Sequence, residues 1–259
     1  PLITTSLATN AAGNVTINAN ATSWANGTPY NLLSYGGGSI GGAGYDKFTL
    51  GTITGLATRQ SATPNNSGTA ITLTFSGDNP VWSGANGGIW TTTATNSLTS
   101  LTPSWALKNA PNNTTDFWAG DIAEFNDTVN IGGTPVAPTT TTVTIQGGNV
   151  TPLSATFNNS SLDYTLTSDE GSGIAAGILT KNGSGKLTIS TANSYTGAST
   201  INAGNVTMSG SGTLGSGSAL TLSGGQLNLG TSSQSVGVVS ITAPATSGDT
   251  ILNGSLTGT

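Results

Sequence analysis

Two interleaved repeats constrain this chain more than anything else in it. Lys186-Leu187-Thr188-Ile189-Ser190, Asn205-Val206-Thr207-Met208-Ser209 and Gln226-Leu227-Asn228-Leu229-Gly230 each alternate apolar and polar residues between turn formers. A second series runs between them at Thr200-Ile201, Leu220-Thr221-Leu222 and Val239-Ser240-Ile241. Leu187 to Val206 is 19 residues and Val206 to Leu227 is 21, while Ile201 to Leu220 and Leu220 to Val239 are 19 each. Strict alternation marks strands with one buried face. Two such series sharing a period of about 20 residues predict a coil of stacked parallel strands, one turn per period.

The register extends backwards, with Ile145 to Leu166 and Leu166 to Leu187 both 21 residues, and forwards, with Leu227 to Ile251 at 24. A β-helix repeat block is therefore expected over 142–259. Apolar side chains would stack in columns inside it, and Thr and Asn outside, where β-branched Thr suits an exposed strand. Residues 1–76 carry looser alternation (Val15-Ile17, Phe48-Leu50, Ile71-Leu73-Phe75) and read as the end of another coil block. Residues 77–141 hold four of the five Trp, and the run from Pro135 to Thr142 reads as a linker or exposed loop. This segment is expected to be an insertion or cap between the two blocks. The predicted fold class is all-β, a parallel solenoid.

Composition narrows the chemistry. Charged residues make up 6% of the chain and the net charge is −5, so Thr, Ser, Asn and Gly cover the surface. Regular alternation with so little charge argues for order rather than disorder. There is no Cys and no His, which excludes disulfides, thiolate metal sites and any His-based triad or general base. The five basic residues, Lys47, Arg59, Lys108, Lys181 and Lys186, are scattered, so no phosphate-binding patch forms and neither nucleic acid nor an anionic membrane is an expected partner. No apolar run is long enough for a membrane helix. With no Met start and no leader pattern at Pro1, the chain is expected to be a processed or excised piece of something longer.

The stretch from Ile178 to Met208 resembles the autotransporter-associated β-strand repeat, also called the passenger-associated transport repeat. The resemblance is carried by Leu179, Lys181, Gly183, Gly185, Leu187 and Ile189, then Asn193, Tyr195, Thr196, Gly197, Thr200, Ile201, Asn202, Gly204 and Val206. Residues 212–229 look like its usual continuation. Tyr30 to Gly36 with Phe48 to Leu50 is similar to the end of one unit in such proteins, and Val81 to Trp90 with Ala119 to Asp127 to the start of the next. The resemblance implies a right-handed parallel β-helix, exported to the outer surface of a bacterium or beyond it, and implies no particular activity. A unit's end precedes a unit's start, so the chain could be one permuted repeat of an array or a protomer with open ends.

Candidate sites are few. Asp121, Glu124 and Asp127, with Asp116 close by, form the densest acidic cluster. Hard cations such as Ca²⁺ want several carboxylates, but turn-capping aspartates account for the same pattern, and no known Ca²⁺ loop motif is present. The same carboxylates could form a glycosidase pair, although the only Arg, Arg59, is remote. Trp82, Trp90, Trp105 and Trp118 could stack on sugar rings, or serve as buried anchors of a cap. Asn14, Asn20, Asn26 and Asn126 begin Asn-x-Thr sequons, which arise by chance in such a composition. No catalytic residue and no cofactor site is assigned.

These readings favour a structural role. A β-helix leaves unpaired backbone groups at its ends, and copies or adjacent repeats stacking head to tail would satisfy them, building a fibre, sheath or layer. A glycan-binding adhesin is the first alternative and a polysaccharide-degrading enzyme the second.

Overall fold

The computed structural model describes residues 2–4, 8–9, 13–36, 40–42, 44–92, 103–110, 114–242 and 249–258. Among them the regular structure is β-strand, with one 3-10 turn at Tyr45–Lys47. The chain divides into two compact units, Pro1–Asp78 and Asn79–Thr259.

In the first unit, β1 (Leu2–Thr4), β2 (Ala8–Thr9) and β3 (Val15–Ala19) pair in parallel with β4 (Pro29–Tyr35), β5 (Gly41–Gly42) and β6 (Phe48–Ile53). One coil thus lies on another, around Ile17, Tyr35 and Ile40. The stack then stops. β7 (Gln60–Asn66) and β8 (Ala70–Gly77) form a hairpin, and β8 pairs antiparallel with β4. It occupies the edge that the next parallel coil would need.

The second unit is the solenoid. Its first strands are β9 (Pro80–Trp82), β10 (Ile89–Trp90), β11 (Trp105–Leu107), β12 (Thr114–Thr115), β13 (Ile122–Phe125), and a hairpin of β14 (Val129–Ile131) and β15 (Thr134–Val136). The regular coils follow as β16 (Thr142–Ile145), β17 (Ser154–Phe157), β18 (Tyr164–Ser168), β19 (Ile178–Lys181), β20 (Lys186–Ile189) and β21 (Ser199–Ile201). They continue as β22 (Gly204–Met208), β23 (Leu220–Leu222), β24 (Gly225–Asn228), β25 (Ser233–Val236), β26 (Val239–Ile241), β27 (Thr250–Leu252) and β28 (Ser255–Gly258). Strands alternate between a nine-stranded sheet, β12-β11-β9-β13-β17-β19-β21-β23-β26, and a seven-stranded sheet, β10-β16-β18-β20-β22-β24-β27. From β13 and β16 onwards every pairing within these two sheets is parallel. β25 and β28 add a short third side.

The predicted columns Leu187–Val206–Leu227–Ile251 and Leu220–Val239 are in register. Three other expected pairings are offset by two residues. Leu166 pairs with Val143 and Ile189, not with Ile145 and Leu187; Leu187 pairs with Tyr164; and Ile201 pairs with Leu222 rather than Leu220. A two-residue slip keeps every side chain on its own face, so alternation alone cannot detect it. Inside, Val143, Leu166, Ile189, Leu187, Val206 and Leu227 are fully buried, and each contributes about 1.5–3 kcal/mol. Outside, the columns are Thr156–Thr180–Thr200–Thr221 on one sheet and Thr142–Thr165–Thr188–Thr207 on the other.

The Trp-rich strands form the head of the solenoid. Phe125 packs on Trp82, Trp90, Trp105, Phe157 and Tyr164, with ring centroids 4.3–5.8 Å apart. Edge-to-face and stacked rings of this kind add to the burial of their area.

Candidate functional site

Strand alternation decides where the acidic residues go. In β13, Ala123 and Phe125 point inwards and are fully buried, so Glu124 points out. Its carboxylate is covered by Lys108, whose Nζ lies 2.7 Å from Oε2 and 3.1 Å from Oε1, and by Asn79 Nδ2 at 3.2 Å. Asp121 is fully buried and accepts the Trp118 N–H at 2.9 Å, while its own N–H donates to Trp118 O at 3.0 Å. Asp127 accepts the backbone N–H groups of Ser160 and Leu162 at 2.9 Å and of Ser161 at 3.1 Å, from the turn of the next coil. The three carboxylates are therefore committed to three separate partners. Among the described residues, no three acidic side chains converge as ligands for a cation.

The tryptophans also separate. Trp82, Trp90 and Trp105 lie in the core at 0–2% exposure, and Trp82 Nε1 donates to Thr140 O at 2.8 Å. Of these four candidates only Trp118 reaches the surface, at 53% exposure. The four do not form one platform.

A polar corner in the solenoid had no counterpart in the sequence reading. Lys181 stands in the inward column Phe125–Phe157–Lys181–Ile201–Leu222 and is fully buried. The alternation Leu179-x-Lys181 is the signal that places it there. Its ammonium donates to the carbonyls of Asn182, Gly183 (2.6 Å) and Asn159 (3.4 Å). Burial pulls the Lys181 pKa down to about 8, opposed by the negative charges of Asp127 and Asp163. Burial alone would raise Asp127, but its three backbone donors and Lys181 hold it below the usual carboxylate range. Burial, with the Asp127 charge, pushes Tyr164 up; its hydroxyl donates to Asn126 O at 2.7 Å.

Side-chain amides tie successive coils together at two further places. Asn158 Nδ2 donates to Asn126 Oδ1 at 2.9 Å, and the Asn182–Asn158 and Asn202–Asn182 bonds follow at 2.8 Å each. At another corner Asn193 Oδ1 accepts the Ile174 N–H at 2.8 Å and Nδ2 donates to Thr213 O at 2.7 Å. Gln234 repeats this two coils later, accepting the Leu214 N–H at 2.8 Å and donating to Gly212 O at 2.9 Å.

The motif residues thus act in stacking. Tyr195 is buried with its hydroxyl 2.7 Å from Ser199 Oγ. Gly183 has φ +58°, and a methyl group there would lie 2.2 Å from Asn159 O; one on Gly197 would lie 2.2 Å from Gly177 O. Only glycine lets adjacent coils approach this closely.

Among the described residues β26 and β27 are edge strands, and Val239 and Ile241, which stand over the fully buried Leu220 and Leu222, are 36% and 58% exposed.

Comparison with known proteins agrees with this picture at one place. Residues 179–208 match the model of the passenger-associated-transport-repeat, from β19 to the end of β22. No curated protein and no solved structure matches the chain.

Proposed function

We propose that the chain is a structural, passenger-type β-solenoid segment of a bacterial surface or secreted protein, which lengthens by stacking coil on coil, end to end. The observation that carries this is the trailing edge of the solenoid. Val239 and Ile241 continue columns that are otherwise sealed, and among the described residues β26 and β27 are sheet edges whose free N–H and C=O groups would template one more parallel coil. β1, β2 and β3 present leading edges of the same parallel kind in the first unit. A second copy or an adjacent repeat offering such an edge would extend the ladders, and a contact of this heterologous kind propagates into a filament unless it closes. The repeat match over 179–208 supports surface or secreted placement.

Sedimentation equilibrium tests this reading. The chain should self-associate as its concentration rises, and Ile241→Lys should weaken that association by placing a charge on the contact. A chain that stays monomeric throughout, or an Ile241→Lys variant that associates equally well, contradicts the reading.

A further inference from the structure

The outward face of the seven-stranded sheet carries hydroxyl groups on a grid. Thr142, Thr165, Thr188 and Thr207 form one column, and Thr144 stands beside Thr167 in the next. Ser190 and Ser209 continue that second column, because Ser190 N donates to Leu166 O and Ser209 N to Ile189 O in the ladder bonds that follow. The register runs across these four strands without a shift. Neighbouring strands therefore set hydroxyls about 4.8 Å apart along the axis, and alternate residues set them about 6.6 Å apart along each strand.

Three properties make the grid more than a soluble surface. It is neutral: the nearest charges, Asp163 and Lys186, stand at its rim and face each other at 4.0 Å, and Asp169 at the opposite rim takes a bond from Gln146 at 3.0 Å. Its hydroxyls are available, since among the described residues those of Thr144, Thr165, Thr167 and Thr188 have no hydrogen-bond partner, whereas Thr207 bonds to Asn205 at 2.8 Å. Each Thr also sets a methyl group beside its hydroxyl, so the face alternates apolar and hydrogen-bonding points. The nine-stranded sheet lacks this arrangement because its second outward column, Asn158–Asn182–Asn202, is bonded to itself.

A neutral lattice of hydroxyls and methyls repeats on the scale of the water oxygens in ice. A water layer hydrogen-bonded to such a lattice would stand in register with it, and the neutral face gives free ions little to attract. A saccharide surface would call for aromatic stacking faces, and β16, β18, β20 and β22 present none outwards, Tyr164 being fully buried. We propose that this face is an ice-binding surface, with the Thr-x-Thr and Thr-x-Ser pairs of β16, β18, β20 and β22 as its contact points. It is independent of end-to-end stacking.

An ice recrystallisation assay on the purified chain, with bovine albumin as the inert comparison, tests it. Thr165→Tyr and Thr188→Tyr raise a bulky ring from the grid centre; Thr180→Tyr does the same on the other sheet. Circular dichroism checks that each variant keeps its strands. The unaltered chain and Thr180→Tyr should both arrest grain growth, and the two grid variants should need at least about tenfold more protein to do so. Grain growth indistinguishable from that with albumin, or equal potency in all four proteins, overturns the proposal. So does saturable retention on crystalline cellulose without any effect on ice, which would assign the grid to a carbohydrate lattice.

Discussion

The side-chain amide of Asn182 donates to Asn158 Oδ1 at 2.8 Å across adjacent coils, and Asn182 Oδ1 in turn accepts from Asn202 at the same distance. Asn182 is therefore an interior rung of a ladder that runs from Asn126 to Asn202. Replacing it with Ala removes two amide bonds, and each is worth about 1 kcal/mol. Asn182→Ala should cost about 2 kcal/mol and the terminal Asn202→Ala about half that, read from urea midpoints at unchanged m-value.

This ladder shows what could and could not be read in advance. Alternation is a property of each strand, so the solenoid, its inward columns and the outward Thr were legible from residues such as Leu187, Val206 and Leu227. Pairing between coils depends on the length of each turn. The turns before β20 are two residues longer than the period suggested, and Leu166 moved from Leu187 to Ile189. The acidic cluster was visible as composition, but only the fold shows that Glu124 meets Lys108 while Asp127 caps the 160–162 turn. Alternation with Leu179 turns Lys181 inwards, but the acceptors that a buried ammonium needs are the backbone carbonyls of Asn159, Asn182 and Gly183, which no sequence pattern announces.

Lys181 gives the fold a pH signature. Its pKa is about 8 in the folded chain, against 10.5 for a free side chain. Between these values the folded state binds fewer protons than the unfolded one, so stability rises with pH across that window, by up to about 3 kcal/mol. Below pH 8 the ammonium is charged in both states and its contribution is level. Burial raises Tyr164 and Tyr195, which works in the opposite direction above about pH 10. Chemical denaturation of the chain and of Lys181→Met between pH 7.5 and 9.5 should show the rise in the first and a flat profile in the second.

The close approach at Gly183 should be intolerant of any side chain. With φ at +58° and Asn159 O in the space of a Cβ, Gly183→Ala combines backbone strain with a clash and should cost more than about 2 kcal/mol. Gly171 also has positive φ but open space around it, so Gly171→Ala should cost less. Thermal melts of the pair separate the two contributions.

At the head of the solenoid, Phe125 touches five other rings and is fully buried. Phe125→Ala should lower stability by about 3–5 kcal/mol. Trp118→Ala, at a side chain that is half exposed, should cost far less. The same denaturation curves measure both.

Coil-on-coil growth from the edge formed by β26 and β27 is the claim on which the functional reading stands. Electron micrographs of the concentrated chain test it most directly. The expected image is a thin unbranched filament with a regular axial repeat, shortened or lost in Val239→Lys and Ile241→Lys. Isolated particles of single-chain size at every concentration would contradict it.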